Sequence, residues 1–198
     1  LLNQCPHNLD LFQWLFGMPE QVTGFLNFGR YHQIEVEDDA TLYFRYPDGM
    51  NATFITSTGE APGINRLEVI AERGTLTVSE GMIRWEQNEI DASTFSDTAE
   101  SGFAKPDTTT VEIPIEGHGG QHVEILQNFA DAIRDGAKLI SPAVEGIHSV
   151  ELANAALLSA WQQATVTLPM NASEYAKILN HKADTSTFKK KDIKAAAT

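Results

Sequence analysis

A histidine near the start of the chain stands where it could transfer protons. His7 lies in the segment 3–10 with Asn3, Pro6 and Asp10, and Pro6 is suited to the first turn of a helix. Because the pKa of an imidazole is close to neutrality, a histidine here could act as a general acid or base. The residues alone favour a structural interpretation, in which Asn3 precedes or caps the helix, His7 is a half-buried first-turn residue and Asp10 is solvated.

A second pair of histidines stands at the start of another predicted helix. His118 and His122 are four residues apart, so both imidazoles could lie on one side of the chain. A metal site would need a third ligand and an open position, and we expect Glu124 to point elsewhere around the helix. We therefore expect no metal ion. Two interpretations remain open: polar residues that line a cleft, or a structural helix start in which Gly119 and Gly120 allow a close backbone approach.

The sequence contains none of the motifs that would make it a complete catalyst. Glycines at 117, 119 and 120 follow a predicted strand, but they lack the Gly-x-Gly-x-x-Gly spacing and the Lys-Ser/Thr pair of phosphate-binding loops. No Gly-x-Ser-x-Gly elbow occurs, and the single cysteine, Cys5, cannot build a thiolate zinc site. The sequence therefore predicts neither a dinucleotide-binding loop nor a nucleophile elbow.

The composition argues against several classes of protein. A net charge of −13 and a pI near 4.7 oppose binding to a phosphate backbone, so nucleic acid is not an expected partner. No apolar run approaches the roughly 20 residues of a membrane helix, so no membrane partner is expected either. One cysteine excludes an internal disulfide and fits a cytoplasmic location. The basic residues at 189–191 and 194 are predicted to form a solvated tail.

Helical periodicity near the two ends of the chain encloses a series of short strands. Apolar residues recur at helical spacing over 6–16, 123–133 and 150–161, and they alternate in segments between residues 21 and 115. Tight turns without intervening helices favour antiparallel pairing, and residues 91–109 are expected to be a surface loop. We predict an α+β fold with an open, mostly antiparallel β-sheet. Helices pack on one face, and the other face is used for oligomerisation.

The motifs, taken in order, resemble one known family. Asn3, His7 and Asp10, followed by Phe-Gln-Trp-Leu-Phe-Gly-Met-Pro at 12–19, resemble the catalytic helix of the glucose–fructose oxidoreductase and inositol dehydrogenase (Gfo/Idh/MocA) family. Further segments are similar to that family's hairpin (46–49), its glycine turn (73–76), its late helix (119–133), and its closing helix and strand (149–161 and 166–169). The resemblance extends to about residue 169.

The resemblance implies a two-domain enzyme of which this chain is the second part. In the family, an amino-terminal Rossmann domain binds NAD or NADP and carries a lysine that helps to relay the substrate proton. The carboxyl-terminal α+β domain contacts the substrate and forms the oligomer interface. We expect residues 1–170 to be that domain, and 171–198 to be a terminal helix with a basic, partly disordered tail. The chain alone is expected to bind no cofactor and to be inactive.

The same resemblance implies catalytic roles for His7 and Asn3. His7 matches the catalytic histidine, and Asn3 stands where the family usually has aspartate; an amide can orient a hydroxyl but cannot carry a proton. Substrate contacts are expected from Asn3, His7, His118 and His122. The predicted function is that of an NAD(P)-dependent oxidoreductase acting on a sugar, inositol or related polyol, assembled as a homodimer or homotetramer. The alternative is a non-catalytic ligand-binding or assembly module that retains the fold.

Overall fold

A computed structural model describes residues 1–117 and 119–188. The helices of this part of the chain are α1 (Pro6–Phe16), α2 (Ala92–Thr98), α3 (Gln121–Asp135), α4 (Gly146–Gln162) and α5 (Ala172–Asp184), with a 3-10 turn at Ala143–Glu145. Its strands are β1 (Gln21–Phe28), β2 (Glu37–Arg45), β3 (Asn51–Ser57), β4 (Arg66–Ala71), β5 (Gly74–Ser79), β6 (Met82–Asn88), β7 (Thr108–Pro114) and β8 (Val166–Thr167).

The chain divides into two compact units, each with its own antiparallel sheet. The first unit comprises Leu1–Glu60 and Ile140–Thr198, and the second comprises Ala61–Leu139. The strand order is β3-β2-β1-β8 in the first unit and β4-β5-β6-β7 in the second. The predicted α+β class and the antiparallel pairing are confirmed. The basic residues at 189–191 and 194 lie outside the described residues.

The core of the first unit lies between its sheet and the helices α1 and α4. Alternate residues of β2, namely Ala40, Leu42 and Phe44, are buried because successive strand residues point to opposite faces. The ring of Phe44 stacks on Phe12 of α1 at a centroid distance of 4.9 Å. Leu9, one turn earlier in α1, is also fully buried. These contacts fix which side of α1 faces the core and which side remains exposed.

Helix α4 approaches β1 closely because the strand has a glycine at the contact. A Cβ built on Gly24 would lie 2.6 Å from the carbonyl oxygen of Ala156, a distance that real Cβ atoms do not tolerate. The buried hydroxyl of Ser159 accepts a hydrogen bond from the Gly24 N–H at 2.9 Å and donates one to the Ala164 carbonyl at 2.6 Å. These contacts hold the carboxyl-terminal half of α4 against the sheet.

A single buried carboxylate organises the loop between β1 and β2. The Asp38 oxygens accept the backbone N–H groups of Arg30, Tyr31 and His32 at 2.9, 2.7 and 2.9 Å. Burial by itself raises the pKa of the Asp38 carboxyl, but the hydrogen bonds from Tyr31, Arg30 and His32 outweigh it and lower that pKa from 3.8 to about 2. The ionised form is therefore the form that holds the loop.

We expect Asp38→Asn to lower the thermal midpoint of unfolding by about 5 °C near neutral pH, because an amide offers fewer acceptor sites to three N–H donors. Since the folded pKa of Asp38 lies below the unfolded value, its stabilising contribution is present above pH 3.8 and is lost as the pH falls towards about 2. Calorimetry over that pH range should show the difference between wild type and variant shrinking. The exposed Asp184→Asn is the control, and a difference that does not depend on pH would contradict the explanation.

The outer face of the first unit's sheet carries exposed apolar side chains. Phe25 and Ile55 are 68% and 67% exposed, and Thr41 of β2 lies between them in the strand register. Tyr43, on the same face of β2, is also exposed. Within the described residues of the first unit, the sheet therefore has helices on one face and, on the other, a partly apolar face that these helices leave uncovered.

The second unit corrects one expectation and agrees with another. Residues 91–109 were expected to form a surface loop, but they contain α2, which has no buried residue and so leaves no apolar periodicity to detect. In the first turn of α2, the Ser93 N–H donates a hydrogen bond to Glu72 Oε2 at 2.9 Å, which holds the start of the helix beside Glu72. Helix α3 includes the predicted helical segment 123–133, and it ends before Gly136, which adopts the left-handed conformation with φ of 70°.

The carboxyl-terminal helix α5 packs on the first unit. The Asn171 side chain caps it by accepting the N–H groups of Ser173 and Glu174 at 3.1 and 3.2 Å. The rings of Tyr175 and Trp161 stack at a centroid distance of 5.7 Å. Helix α5 lies within residues 171–198, where the sequence predicts a terminal helix followed by a tail.

Candidate functional site

Helix α1 presents His7 on its exposed side. Pro6 occupies the first turn, and the N-cap residue is Cys5, so the interpretation of Asn3 as the cap itself is wrong. The Cys5 thiol lies 3.0 Å from the Thr56 hydroxyl of β3, which ties the helix start to the sheet. Because Leu9 and Phe12 face the core, His7 faces away from it and is exposed.

A shallow cavity of about 230 Å³ lies beside His7 in the first unit. Helix α1 contributes one set of lining residues: His7, Asp10, Leu11, Gln13 and Trp14. The segment that leads into α4 contributes the other: Ile140, Ser141 and Glu145. The cavity thus combines one imidazole, two carboxyl groups, a hydroxyl and an indole ring.

The geometry of the cavity suits a small polar ligand. The Gln13 amide donates a hydrogen bond to Asp10 Oδ1 at 3.0 Å, which orients that carboxylate along the helix. The Trp14 side chain is 71% exposed, so its ring offers an apolar surface beside these polar groups. An imidazole that is accessible in such a cavity can exchange a proton with a bound hydroxyl group.

Neither Asn3 nor His122, the other predicted site residues that the structure describes, is among the residues that line this cavity. Asn3 is exposed in the turn before α1 and is not among the residues that line the cavity. His122 is exposed in the first turn of α3, in the second unit. His118 lies outside the described residues. Glu124, in the first turn of α3, accepts the backbone N–H of Gly120 at 3.2 Å.

Several residues of the cavity were not predicted from the sequence. Asp10 and Trp14 lie three and seven residues after His7, so helical periodicity could have placed them on the same side of α1. Ser141 and Glu145 are more than a hundred residues away along the chain, and no sequence signal linked them to His7.

The described residues contain neither a metal-binding cluster nor a membrane-spanning helix. In residues 1–117 and 119–188, no group of three or more His, Cys, Asp and Glu side chains could hold a metal ion. Among the helices of that same part, none is long and apolar enough to cross a membrane.

The model of a known protein family matches most of the sequence. The family is described as the oxidoreductase family, C-terminal alpha/beta domain, and the match covers residues 1–168. The chain belongs to the Gfo/Idh/MocA oxidoreductase family. Of the elements described above, only α5 lies beyond the matched region. No curated protein matches the chain.

Solved structures of oxidoreductases have a similar fold. An oxidoreductase from Agrobacterium radiobacter, in complex with NAD+, L-tartaric acid and magnesium, matches with a TM-score of 0.61 and 15% identity over 83% of this chain and 48% of its own. The aldose-aldose oxidoreductase from Caulobacter crescentus, complexed with glycerol, matches with a TM-score of 0.60 and 19% identity over 82% and 45%.

The WlbA dehydrogenase from Chromobacterium violaceum, in complex with NADH and UDP-GlcNAcA, is a third similar structure. Its TM-score is 0.56 and its identity 23%, over 85% of this chain and 46% of its own. At these identities the likeness concerns the fold alone. This Gfo/Idh/MocA chain spans about half the length of the proteins that it matches.

Proposed function

We propose that this chain is the substrate-facing domain of an NAD(P)-dependent oxidoreductase that acts on a sugar, an inositol or a related polyol. The observation that carries the proposal is the placement of His7, accessible on α1 at the edge of a cavity lined by polar groups. Membership of an oxidoreductase family supports the reaction class. The glycerol and UDP-GlcNAcA complexes of similar folds support a hydroxyl-bearing substrate.

The chemistry proposed for His7 is the removal of a hydroxyl proton. When a secondary alcohol is oxidised, hydride leaves its carbon and a proton leaves its oxygen, and the nicotinamide supplies the hydride acceptor. His7 would accept that proton as a general base and return it in the reverse direction. Asp10 and Glu145, across the same cavity, could accept hydrogen bonds from neighbouring hydroxyl groups and hold the reacting carbon in place.

In residues 1–117 and 119–188 both sheets are antiparallel, so these residues do not provide the parallel sheet of a Rossmann dinucleotide pocket. The sequence of this chain has no Gly-x-Gly-x-x-Gly loop between a strand and a helix. We therefore assign NAD or NADP to an amino-terminal domain, as residues 1–170 would be the carboxyl-terminal domain of a longer enzyme. Relatives about twice as long as this chain support that assignment, and the chain by itself would be inactive.

Asn3 is assigned an orienting role. It is exposed, four residues before His7, and its amide can donate to or accept from a substrate hydroxyl but cannot carry a proton. Because residue 3 is asparagine where the family usually has aspartate, a second candidate function is also favoured: a ligand-binding or assembly module that has lost catalysis while keeping the fold. We assign either protein to the cytoplasm, since the sequence has one cysteine and cannot form an internal disulfide.

The test of the proposed function is turnover by the full-length protein. We expect reduction of NAD or NADP, followed by absorbance, with at least one member of a panel of sugars, inositols and linear polyols. His7→Ala is the matched variant, because it should lower the rate by about two to four orders of magnitude without removing a core contact. A panel on which neither cofactor is reduced, although the protein binds a panel member, would favour the non-catalytic candidate.

We also propose that the uncovered face of the first unit's sheet joins copies of the protein into a homodimer or homotetramer. Its exposed apolar residues, Phe25, Tyr43 and Ile55, support this interface.

We expect Phe25→Asp to raise the dissociation constant of the oligomer about 30-fold or more, because the substitution puts a charge into an apolar contact. Sedimentation velocity over a concentration series measures the change. Leu179→Asp on α5 is the control, and a wild type that stays monomeric at high concentration would contradict the interface.

A further inference from the structure

The side chain of Tyr46 holds the carboxyl-terminal end of α1. Its phenol donates a hydrogen bond to the carbonyl oxygen of Gly17, the C-cap residue of that helix, at 3.2 Å. Tyr46 is 9% exposed, and its side chain belongs to the core of the first unit. Burial, with a smaller contribution from the Asp48 carboxylate, raises the pKa of the Tyr46 phenol to about 12, so the hydroxyl stays protonated near neutral pH and remains a donor.

The amino-terminal end of α1 is held by the same β2–β3 hairpin. Thr56, near the end of β3, places its hydroxyl 3.0 Å from the thiol of Cys5, the N-cap residue of α1. Tyr46 belongs to the turn that joins the two strands, where its N–H donates to the Met50 carbonyl at 3.0 Å. One hairpin therefore contacts both ends of the 11-residue helix through polar side chains.

These polar contacts restrict α1 in a way that its apolar contacts do not. Leu9 and Phe12 determine which side of the helix faces the core, but apolar contacts are non-directional and permit small shifts along the helix axis. A hydrogen bond needs a defined distance and angle, so one at each end fixes the axial position of the helix. None of the described residues is hydrogen-bonded to the His7 imidazole, so the backbone of α1 sets where that imidazole lies.

The rate of proton transfer depends on that position. A misplacement of about 1 Å between a catalytic group and its substrate can lower the rate about 100-fold. We infer that Tyr46 and Thr56 are positioning residues for His7, which act through the two ends of α1. Neither residue lines the cavity. This inference rests on the proposed function of His7, and it adds the residues that hold the helix of the proton acceptor in place.

Two substitutions remove these hydroxyl groups and keep the shape of the side chains. Tyr46→Phe and Thr56→Val should each lower kcat of the full-length enzyme about 3- to 30-fold, because His7 is held less well for proton transfer. KM should change by less than about threefold, since neither residue lines the cavity. Thr56→Ser keeps a hydroxyl and should leave kcat within about twofold of the wild type. Steady-state kinetics with the preferred polyol measure both constants.

The control is a variant that loses hydrogen bonds elsewhere in the same unit. Ser159→Ala removes the hydroxyl that accepts from the Gly24 N–H and donates to the Ala164 carbonyl. It should lower the thermal midpoint of unfolding by about 2–6 °C, as Tyr46→Phe should, because both lose buried hydrogen bonds. Both contacts at the ends of α1 remain, so kcat should stay within about twofold. Calorimetry compares the stabilities of the two variants.

Hydrogen exchange measures the hold on α1 without any reaction. In the full-length protein, we expect the backbone amides of residues 6–17 to exchange about threefold or more faster in Tyr46→Phe and Thr56→Val than in Ser159→Ala. Mass spectrometry of peptides from that segment measures the exchange. The comparison with Ser159→Ala separates local loosening of α1 from a general loss of stability.

The outcomes distinguish this inference from the proposed function. If the wild type turns over a polyol, kcat decides: an unchanged kcat in both Tyr46→Phe and Thr56→Val, or an equal fall in Ser159→Ala, would overturn the inference and leave the oxidoreductase intact. A fall in one of the two variants would support the inference for that end of α1 and overturn it for the other. If nothing is turned over, the proposed function fails and exchange decides. Faster exchange over 6–17 in the two variants would support the inference, and exchange equal to that of Ser159→Ala would overturn it.

Discussion

We expect His7→Ala to lower kcat of the full-length oxidoreductase by about two to four orders of magnitude, which is the usual contribution of a positioned acid–base group. His7 is exposed on α1 and lines the cavity, so its removal takes away the proposed proton acceptor without removing a core contact. The free energy of unfolding should therefore change by less than about 0.5 kcal/mol. Steady-state kinetics with the preferred polyol, together with urea unfolding, measure the two effects separately.

The control for His7 is its neighbour in the same helical turn. Asn8 is exposed and does not line the cavity, so Asn8→Ala should leave kcat within about twofold of the wild type. Cofactor affinity should be unchanged in both variants if the dinucleotide is bound by another domain. Near-normal turnover in His7→Ala would mean that this histidine is a structural first-turn residue.

Removal of the Phe44 ring is expected to cost about 3–5 kcal/mol of the free energy of unfolding. Phe44 is fully buried in β2, and its ring stacks on Phe12 of α1, so Phe44→Ala leaves a cavity directly beneath the helix that carries His7. We also expect kcat to fall in this variant, because the side chains of α1 would be held less firmly relative to Ile140–Glu145. Urea unfolding monitored by circular dichroism measures the stability loss.

The matched control lies at the next position of the same strand. Arg45 is exposed on the opposite face of the sheet, so Arg45→Ala should change the free energy of unfolding by less than about 0.5 kcal/mol. Phe44→Leu keeps an apolar side chain and should recover much of the lost stability. If Phe44→Ala and Arg45→Ala were equally stable, the core of the first unit would not lie where the structure places it.

Most elements were predictable because their signals are local. The helix over 6–16 was predicted with the bounds that α1 has in the structure, because an apolar stripe and the stop at Gly17 and Pro19 define it. The alternating segments were predicted to begin at residue 21, which is where β1 begins. The hairpin between β2 and β3 followed from the turn at 47–49, and Gly49 adopts a positive φ there. In contrast, α2 buries nothing, so its polar sequence carried no periodic pattern.

The pairing of strands into sheets was harder to predict from the sequence. Alternation predicts a strand and antiparallel order predicts its neighbour, but neither shows where one sheet stops and another begins. The break falls between β3 and β4, and residues 166–167 return to pair with β1 in the first sheet. That return joins positions about 145 residues apart, and such long-range contacts depend on the packing of α4 rather than on local sequence.

The sequence by itself determined the helix that carries His7, because Pro6, the apolar positions at 9, 12 and 16, and Gly17 are all local signals. It also determined the family, through the order of motifs that a sequence model detects over 1–168. Only the tertiary structure brought Ser141 and Glu145 to α1 and so gave the cavity its acidic character. Cavity walls come from segments far apart in the chain, and their meeting is decided by core contacts such as Phe12 on Phe44 and Gly24 against Ala156.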